Sequence, residues 1–226
     1  MAQETKLKRK DLKEPDQFLV ASNEFLDFLS RNKSVLVGLL IAVFAAAGGY
    51  LFVAQQKSSK VLEMETLYFQ MTQLVEDGKG PAGQQLISKL ESLFEEFEDG
   101  DQKSRAQLLL ADAQFQNKKY DDALLSFKSV ADQVVPGTID FYMAQSGLAH
   151  SYEGKKDFQN AISHYKKIIE HPGESPLFYT YLELARCYEL TSDSKNALLI
   201  LREMQTKFPK HASLEKVNLS LKRLEG

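Results

Sequence analysis

Residues 120–127, YDDALLSF, recur in related form at residues 158–165, FQNAISHY, and at residues 194–201, SKNALLIL. Each copy holds an alanine that is followed four residues later by a large side chain, in the pairs Ala123 and Phe127, Ala161 and Tyr165, and Ala197 and Leu201. The alanines lie 38 and 36 residues apart, and a fainter upstream copy has Leu86 in the alanine position and Leu90 four residues later. A period of this length indicates a protein built from repeats.

A second apolar segment precedes each copy at helical spacing. Examples are Leu148 and Ala149 with Tyr152, and Leu184 and Ala185 with Tyr188. Turn-forming residues separate the segments, at residues 77–81, 99–101, 136–137, 171–176 and 208–209. We therefore predict an all-α domain of four antiparallel helix hairpins, about eight helices, followed by a final helix near residues 212–224.

The pattern resembles the tetratricopeptide repeat, a helix–turn–helix of about 34 residues. The resemblance covers roughly residues 62–210 and is strongest in the two central repeats. In the last repeat Ser192 and Ser194 stand where glycine and an aromatic residue are usual, and the first helix of the first repeat lacks the small-residue signature. The resemblance implies a helical-hairpin solenoid whose groove is lined by the first helix of each pair.

The repeat register predicts which side chains line that groove. They are Arg105, Leu108, Asp112, Phe115, Met143, Ser146, His150, Glu153, Tyr179, Leu182, Arg186 and Glu189. This mixture of apolar, aromatic and charged groups suits an extended or helical protein segment, although packing between repeats is an equally open role for each residue. The family's chaperone-tail binders clamp a terminal carboxylate with Lys, Arg and Asn. Here those positions hold Leu108, Leu109, Asp112, Gly147 and Glu183, so that mode is not expected.

Residues 35–54 read VLVGLLIAVFAAAGGYLFVA, and no charged residue lies between positions 34 and 56. As a helix this stretch would be about 30 Å long, which matches the hydrocarbon core of a bilayer. A helix also satisfies every backbone amide within lipid. We therefore predict a single transmembrane helix at residues 34–55.

Two alternatives account for a long apolar stretch. A cleaved signal peptide would use the small residues Ala45, Ala46 and Ala47 as its cleavage site. However, 33 residues precede the uncharged stretch that begins at Ser34, and the apolar run continues through Val53, which is long for a signal. A buried core helix without any polar face is rare in a domain of this size.

The N-terminal flank, residues 1–33, is short and carries seven Lys and Arg against six acidic residues. Basic flanks stay in the cytoplasm, and long C-terminal domains are translocated largely regardless of their charge. We therefore expect a cytoplasmic segment at 1–33 and an outward repeat domain at 56–226. Residues 15–32 place their apolar side chains along one side of a helix, which indicates either an amphipathic interfacial helix or a plain lead into the span. Residues 1–14 are expected to be disordered.

The sequence offers little for catalysis or for cofactors. The net charge of −3 disfavours nucleic acid, and the lone Cys187 excludes a disulfide within the chain. The histidines at 150, 164, 171 and 211 form no HExxH motif, and residues 78–83, GKGPAG, lack the GK[ST] ending of a phosphate-binding loop. We predict no catalytic residue, no metal, no cofactor and no small-molecule substrate.

The arrangement narrows the resemblance further. A cytoplasmic segment with Lys13-Glu14-Pro15-Asp16, one span and degenerate repeats together resemble the YfgM-like proteins of Gram-negative inner membranes. The resemblance implies a single-pass protein whose repeat domain is periplasmic. It also implies an accessory to the SecYEG translocon that works with a PpiD-like periplasmic chaperone.

Three other functions stay open at this stage. The first is an organiser of cell-envelope assembly or division with a related repeat domain. The second is an organelle import receptor, which needs the opposite topology. The third is an undetected enzyme that uses His150 or Cys187.

Overall fold

The computed structural model describes the backbone of residues 17–76, 83–173 and 175–226, and the side chains of these ranges from residue 22 onward. The described residues are all-α without a strand, as predicted. The helices are α1 Gln17–Arg31, α2 Lys33–Glu76, α3 Gln84–Phe94, α4 Asp101–Gln116, α5 Tyr120–Ala131, α6 Ile139–Gly154, α7 Phe158–Glu170, α8 Leu177–Leu190, α9 Ser194–Lys207 and α10 Leu214–Glu225. The predicted disorder of residues 1–14, the helix start at residue 15 and the turn at 77–81 lie outside these ranges.

The chain divides into two compact units, Met1–Lys60 and Val61–Gly226. In the first unit α1 agrees with the helix predicted at residues 15–32, and its Phe25, Leu26 and Phe28 are exposed. Most side chains in the N-terminal part of α2 are also exposed although they are apolar. This helix is long and apolar enough to cross a membrane, which suggests a single-pass membrane protein.

Helix α2 is longer than the sequence predicted. The span was placed at residues 34–55 and the repeats from about residue 62 onward, but the structure has one continuous helix, Lys33–Glu76. The connecting residues 56–61, QKSSKV, contain neither glycine nor proline, so nothing there stops a helix. The predicted span and the first helix of the first repeat are therefore parts of one helix.

The second unit stacks helices in chain order. Each helix from α3 to α9 packs against the next one along the chain, both within a hairpin and between successive hairpins. The first hairpin is held by Met64, Leu67 and Met71 of α2, which join one apolar cluster with Ile87 and Leu90 of α3. The four predicted hairpins and the final helix are thus all present.

The alanines that mark the repeats lie in the core between the helices. Ala123, Ala161 and Ala197 are completely buried, as the repeat pattern predicts. The upstream copy was placed in the wrong register. Leu86 is only partly buried, whereas Ile87 and Leu90 are completely buried and have the three-residue spacing of the buried Phe127 and Val130.

A glycine allows a close approach between successive hairpins. A Cβ atom added at Gly147 of α6 would lie 2.3 Å from the ring of Phe127 of α5, well inside van der Waals contact. The Phe127 ring therefore occupies the space that a side chain at residue 147 would need. Gly154 has the same relation to Tyr120, with a separation of 2.4 Å.

The turns inside the last three hairpins share one backbone geometry. Lys118, Lys156 and Ser192 adopt left-handed conformations, with φ angles of 59°, 63° and 61°. Ser192 stands where the repeat family usually has glycine. Glycine is the residue that adopts a left-handed conformation without strain. After the second and third turns an aspartate caps the next helix, because Asp157 and Asp193 accept hydrogen bonds from the backbone N–H three residues on.

We expect Gly147→Ala to lower the free energy of unfolding by about 2 kcal/mol, because overpacking a core outweighs the gain in helix propensity. Urea unfolding of the full-length protein, followed by far-ultraviolet circular dichroism, measures the change. Phe127→Leu should relieve the overlap, so the double variant should lose less than the sum of the two single losses. Gly49→Ala is the control, since a Cβ atom there meets nothing within 4 Å. Wild-type stability of Gly147→Ala would contradict the close approach.

Candidate partner-binding groove

The twelve predicted groove residues all lie on α4, α6 and α8, the first helices of successive hairpins. The repeat register arranges them in four rows that cross these helices. The first row is Arg105, Met143 and Tyr179, and the second is Leu108, Ser146 and Leu182. The third row is Asp112, His150 and Arg186, and the fourth is Phe115, Glu153 and Glu189.

Exposure differs between the rows. The side chains of the first and third rows are all exposed, whereas those of the second and fourth rows are partly or fully buried. Leu108 is only 4% exposed and belongs to the core shared by α4, α5 and α6. The structure therefore does not bring Leu108 to the groove surface, because its side chain fills the space between hairpins.

The fourth row connects each first helix to the next. A fourth-row residue of one helix meets the third-row position of the following helix in three successive contacts: Phe115 with His150, Glu153 with Arg186, and Glu189 with Arg223 of α10. The Phe115 and His150 rings are 6.2 Å apart, and Glu189 Oε2 lies 2.5 Å from Arg223 Nη2. These side chains therefore join neighbouring repeats, the alternative role that the sequence left open.

Glu153 accepts hydrogen bonds from two other side chains at once. Its Oε2 accepts a hydrogen bond from Arg186, and its Oε1 accepts one from the Tyr165 hydroxyl at 2.6 Å. Arg186 also donates from Nε to Glu183 Oε2 at 2.6 Å. Burial, together with the hydrogen bond to Glu153, raises the pKa of Tyr165.

The first row leaves two apolar side chains open to solvent. Met143 is 47% exposed and Tyr179 is 52% exposed, although the Tyr179 ring touches Phe178 and His211 at its edges. Arg105 is tied to α2, since Nη1 lies 3.3 Å from Glu65 Oε1 and the guanidinium lies 4.5 Å from the Tyr68 ring centre. Within residues 83–173, no hydrogen bond or ion pair is formed by the exposed carboxylate of Asp112.

Sequence reasoning missed Glu65, Tyr68 and Arg223 as members of this surface. Arg223 lies 37 residues after Arg186, which is one repeat period, so the spacing alone could have identified it. Glu65 and Tyr68 carry no such signal, because the first repeat lacks the motif that would set its register.

His150 and Cys187 are the residues that an undetected enzyme was expected to use. Cys187 is completely buried, and burial together with the nearby Glu153 raises the pKa of its thiol to about 12. Each histidine packs against an aromatic ring, and no cluster of three potential metal ligands occurs in the part of the chain that the structure describes. The glycine-rich residues 78–82 lie outside that part.

Family comparison agrees with this geometry. The tetratricopeptide repeat-like domain matches residues 27–140, just over half of the chain, and a tetratricopeptide repeat matches residues 179–211. The chain belongs to the tetratricopeptide repeat-like domain family. The first match runs from α1 to the start of α6, so it includes the candidate membrane span together with the first two hairpins.

Solved structures with tetratricopeptide-like repeats share the fold. Two are crystal structures of nearly identical repeats from a kinesin light chain candidate of Podosopora anserina, one being a variant of the other. Each has a TM-score of 0.58 and covers 72% of this chain, with 18% and 17% identity over 85% and 84% of the respective structures. Among curated proteins, no sequence matches this chain.

The tetratricopeptide repeats also form a second concavity, outside the groove. We call it the outer cleft: a space of about 600 Å³ between α5 and α7 with α6 as its floor. His164 of α7 lines it, with Nδ1 2.7 Å from Gln145 Oε1 and the ring stacked on Tyr152 at 5.4 Å. Burial, followed by the positive charges of Lys167 and Lys128, lowers the pKa of His164 to about 4.

This shift predicts acid destabilisation of the repeats. The unfolded chain binds a proton at His164 near the ordinary pKa of 6.5, while the folded chain resists it down to about 4. The contribution is therefore fully present above pH 6.5 and is lost as the pH falls toward 4. Urea midpoints of the full-length protein should fall through this window, and His164→Gln should reduce the slope. Identical slopes for the variant and the wild type would contradict the assignment.

Proposed function

We propose that this chain is a membrane-tethered scaffold that binds other proteins without catalysis. The observation that carries the proposal is the pair of exposed rows on successive first helices, the first and third rows, above a core that fixes their positions. Tetratricopeptide repeats imply protein partners, and the apolar α2 supplies a candidate anchor.

The exposed rows have the composition of a protein-binding surface. Met143 and Tyr179 offer polarisable and aromatic contacts of the kind that dominate binding energy at interfaces. Asp112 adds a negative charge that no described side chain neutralises. A partner segment that pairs an apolar side chain with a basic one would complement these groups.

Tethering to the bilayer supports the use of weak contacts. A binding domain attached to the same membrane as its partner meets that partner at a high effective concentration. Individually weak contacts on the first and third rows would then be sufficient for stable association.

We further propose a Gram-negative inner-membrane location with residues 1–33 in the cytoplasm, a span at 34–55 and residues 56–226 in the periplasm. The basic N-terminal flank supports this orientation. The resemblance to YfgM-like proteins supports an accessory role at the SecYEG translocon, together with a PpiD-like chaperone. A cell-envelope assembly or division coordinator is the alternative within the same architecture.

The test is capture of partners by the full-length protein in its native membrane. The double variant Met143→Asp, Tyr179→Asp should reduce crosslinked partner at least about tenfold, because it removes both apolar contacts of the first row. Leu199→Asp is the matched control, since Leu199 is 62% exposed on α9 and lies outside the four rows. Mass spectrometry identifies and quantifies the crosslinked proteins.

The identity of those partners decides between the proposals. Translocon subunits and periplasmic chaperones support the accessory role, whereas septal or wall-synthesis proteins favour the coordinator. Exclusively cytoplasmic partners of the repeat domain would overturn the proposed orientation. Equal capture by the double variant and the wild type would overturn the groove surface itself.

A further inference from the structure

The outer cleft carries a second binding surface. Its walls are Leu124 and Leu125 of α5 and His164 and Lys167 of α7, and its floor includes Leu148 and Tyr152 of α6. Leu125 is 71% exposed, so its apolar side chain is open to a partner. The cleft volume of about 600 Å³ is comparable to that of clefts that hold small ligands.

The cleft faces away from the exposed rows. On α6, Met143 and His150 are seven residues apart and therefore share one side of the helix. Leu148 and Tyr152 lie roughly 140–180° around the helix from Met143 at about 100° per residue. A partner in the cleft and a partner on the exposed rows would therefore contact opposite sides of α6.

The cleft exists because two of its residues are small for their positions. One repeat later, the positions of Ala131 and Gln145 hold Ile169 and Tyr181. Tyr181 is completely buried there, and its hydroxyl donates to Glu203 Oε1 at 2.9 Å and accepts from Lys207 at 2.6 Å. The larger side chains fill the core of that repeat, whereas Ala131 and Gln145 leave space between α5 and α7.

Two aspartates and two lysines line the cleft, so their charges balance, but Lys167 is the lysine that no carboxylate of the described lining neutralises. Asp121 at one end is paired with Lys155, and Asp132 at the other end is paired with Lys128 at 2.6 Å. Lys167 forms no ion pair within residues 83–173. The His164 ring, held by Gln145 and Tyr152, adds no positive charge at neutral pH.

The shape of the cleft suits a helix. Its α5 wall runs from Asp121 to Asp132, which corresponds to roughly 16 Å or three helical turns. A helix of that length places apolar residues along one face at i, i+3 and i+4 spacing and charged residues beside them.

We propose that the outer cleft binds an acidic amphipathic helix of a partner protein. The apolar side chains of the partner pack on Leu124, Leu125 and Leu148, and one of its carboxylates pairs with Lys167. This surface is separate from the proposed groove, so a single chain can hold two partners on opposite sides of α6.

The probe is a fluorescein-labelled 14-residue helical peptide with leucines on one face and glutamates on the flanking positions. Its counterpart has lysine in place of every glutamate. Full-length protein in lipid nanodiscs is titrated against each peptide by fluorescence anisotropy, with empty nanodiscs as the blank. We expect the acidic peptide to bind at least about tenfold more tightly than the basic one.

Two variants test the cleft, and each has a matched control. Lys167→Glu and Leu125→Asp should each weaken the acidic peptide about tenfold or more, by removing the ion pair and the apolar contact respectively. Lys166→Glu changes the adjacent residue of α7, whose ammonium lies 5.6 Å from the Tyr188 ring centre, and should leave binding unchanged. Leu199→Asp changes the leucine at the equivalent position of α9 and should also bind as the wild type does.

Equal binding of the two peptides, or no binding of either, would overturn the proposal. Loss of binding in Met143→Asp, Tyr179→Asp with retention in Lys167→Glu would assign the peptide to the groove instead. If the cleft variants lose the peptide but keep their native partners, the cleft proposal stands independently of the groove. Circular dichroism of every variant confirms that the helices are retained.

Discussion

Neighbouring helices of this protein approach one another at residues that have little or no side chain, and the positions of all other groups depend on that approach. Ala123, Ala161 and Ala197 are completely buried where the helices meet, and the ring of Phe127 lies against the bare backbone of Gly147. Interiors packed at this density tolerate little change in volume. The hairpins are therefore held in a fixed register, and that register decides which side chains of α4, α6 and α8 reach solvent.

The fixed register also explains why the predicted groove has two kinds of residue. Glu153 and Glu189 lie close enough to the next first helix to form ion pairs with Arg186 and Arg223, so their charges are used within the array. Partly buried pairs of this kind orient neighbouring elements and become unfavourable when one partner is removed. Met143 and Tyr179 have no such role, and their exposed apolar surface stays available for another protein.

The sequence predicted the repeats, the hairpins and the final helix because these follow from periodic small and large residues. It did not predict that α2 is continuous, since the absence of a stop signal over residues 56–61 is weaker information than the presence of one. Arg223, the partner of Glu189, lies one repeat period after Arg186 and could have been predicted from that spacing. Burial of Leu108 and the partners of Arg105, in contrast, depend on helix contacts that no local pattern encodes. The outer cleft was missed for the same reason, although comparison of Ala131 with Ile169 across one period points to it.

The central claim is that partners contact the exposed first and third rows and not the second row between them. Cysteine labelling in native membranes tests it most directly, because the single native Cys187 is completely buried and its thiol stays protonated. Cysteines introduced one at a time at Met143, His150, Tyr179 and Ser146 are treated with a maleimide before and after the partners are stripped by detergent. The account predicts that cysteines at positions 143, 150 and 179 are labelled fast only after the partners have been stripped. The cysteine at position 146 should be labelled slowly both before and after stripping. Fast labelling of the first three positions in intact membranes, unchanged by stripping, would contradict it.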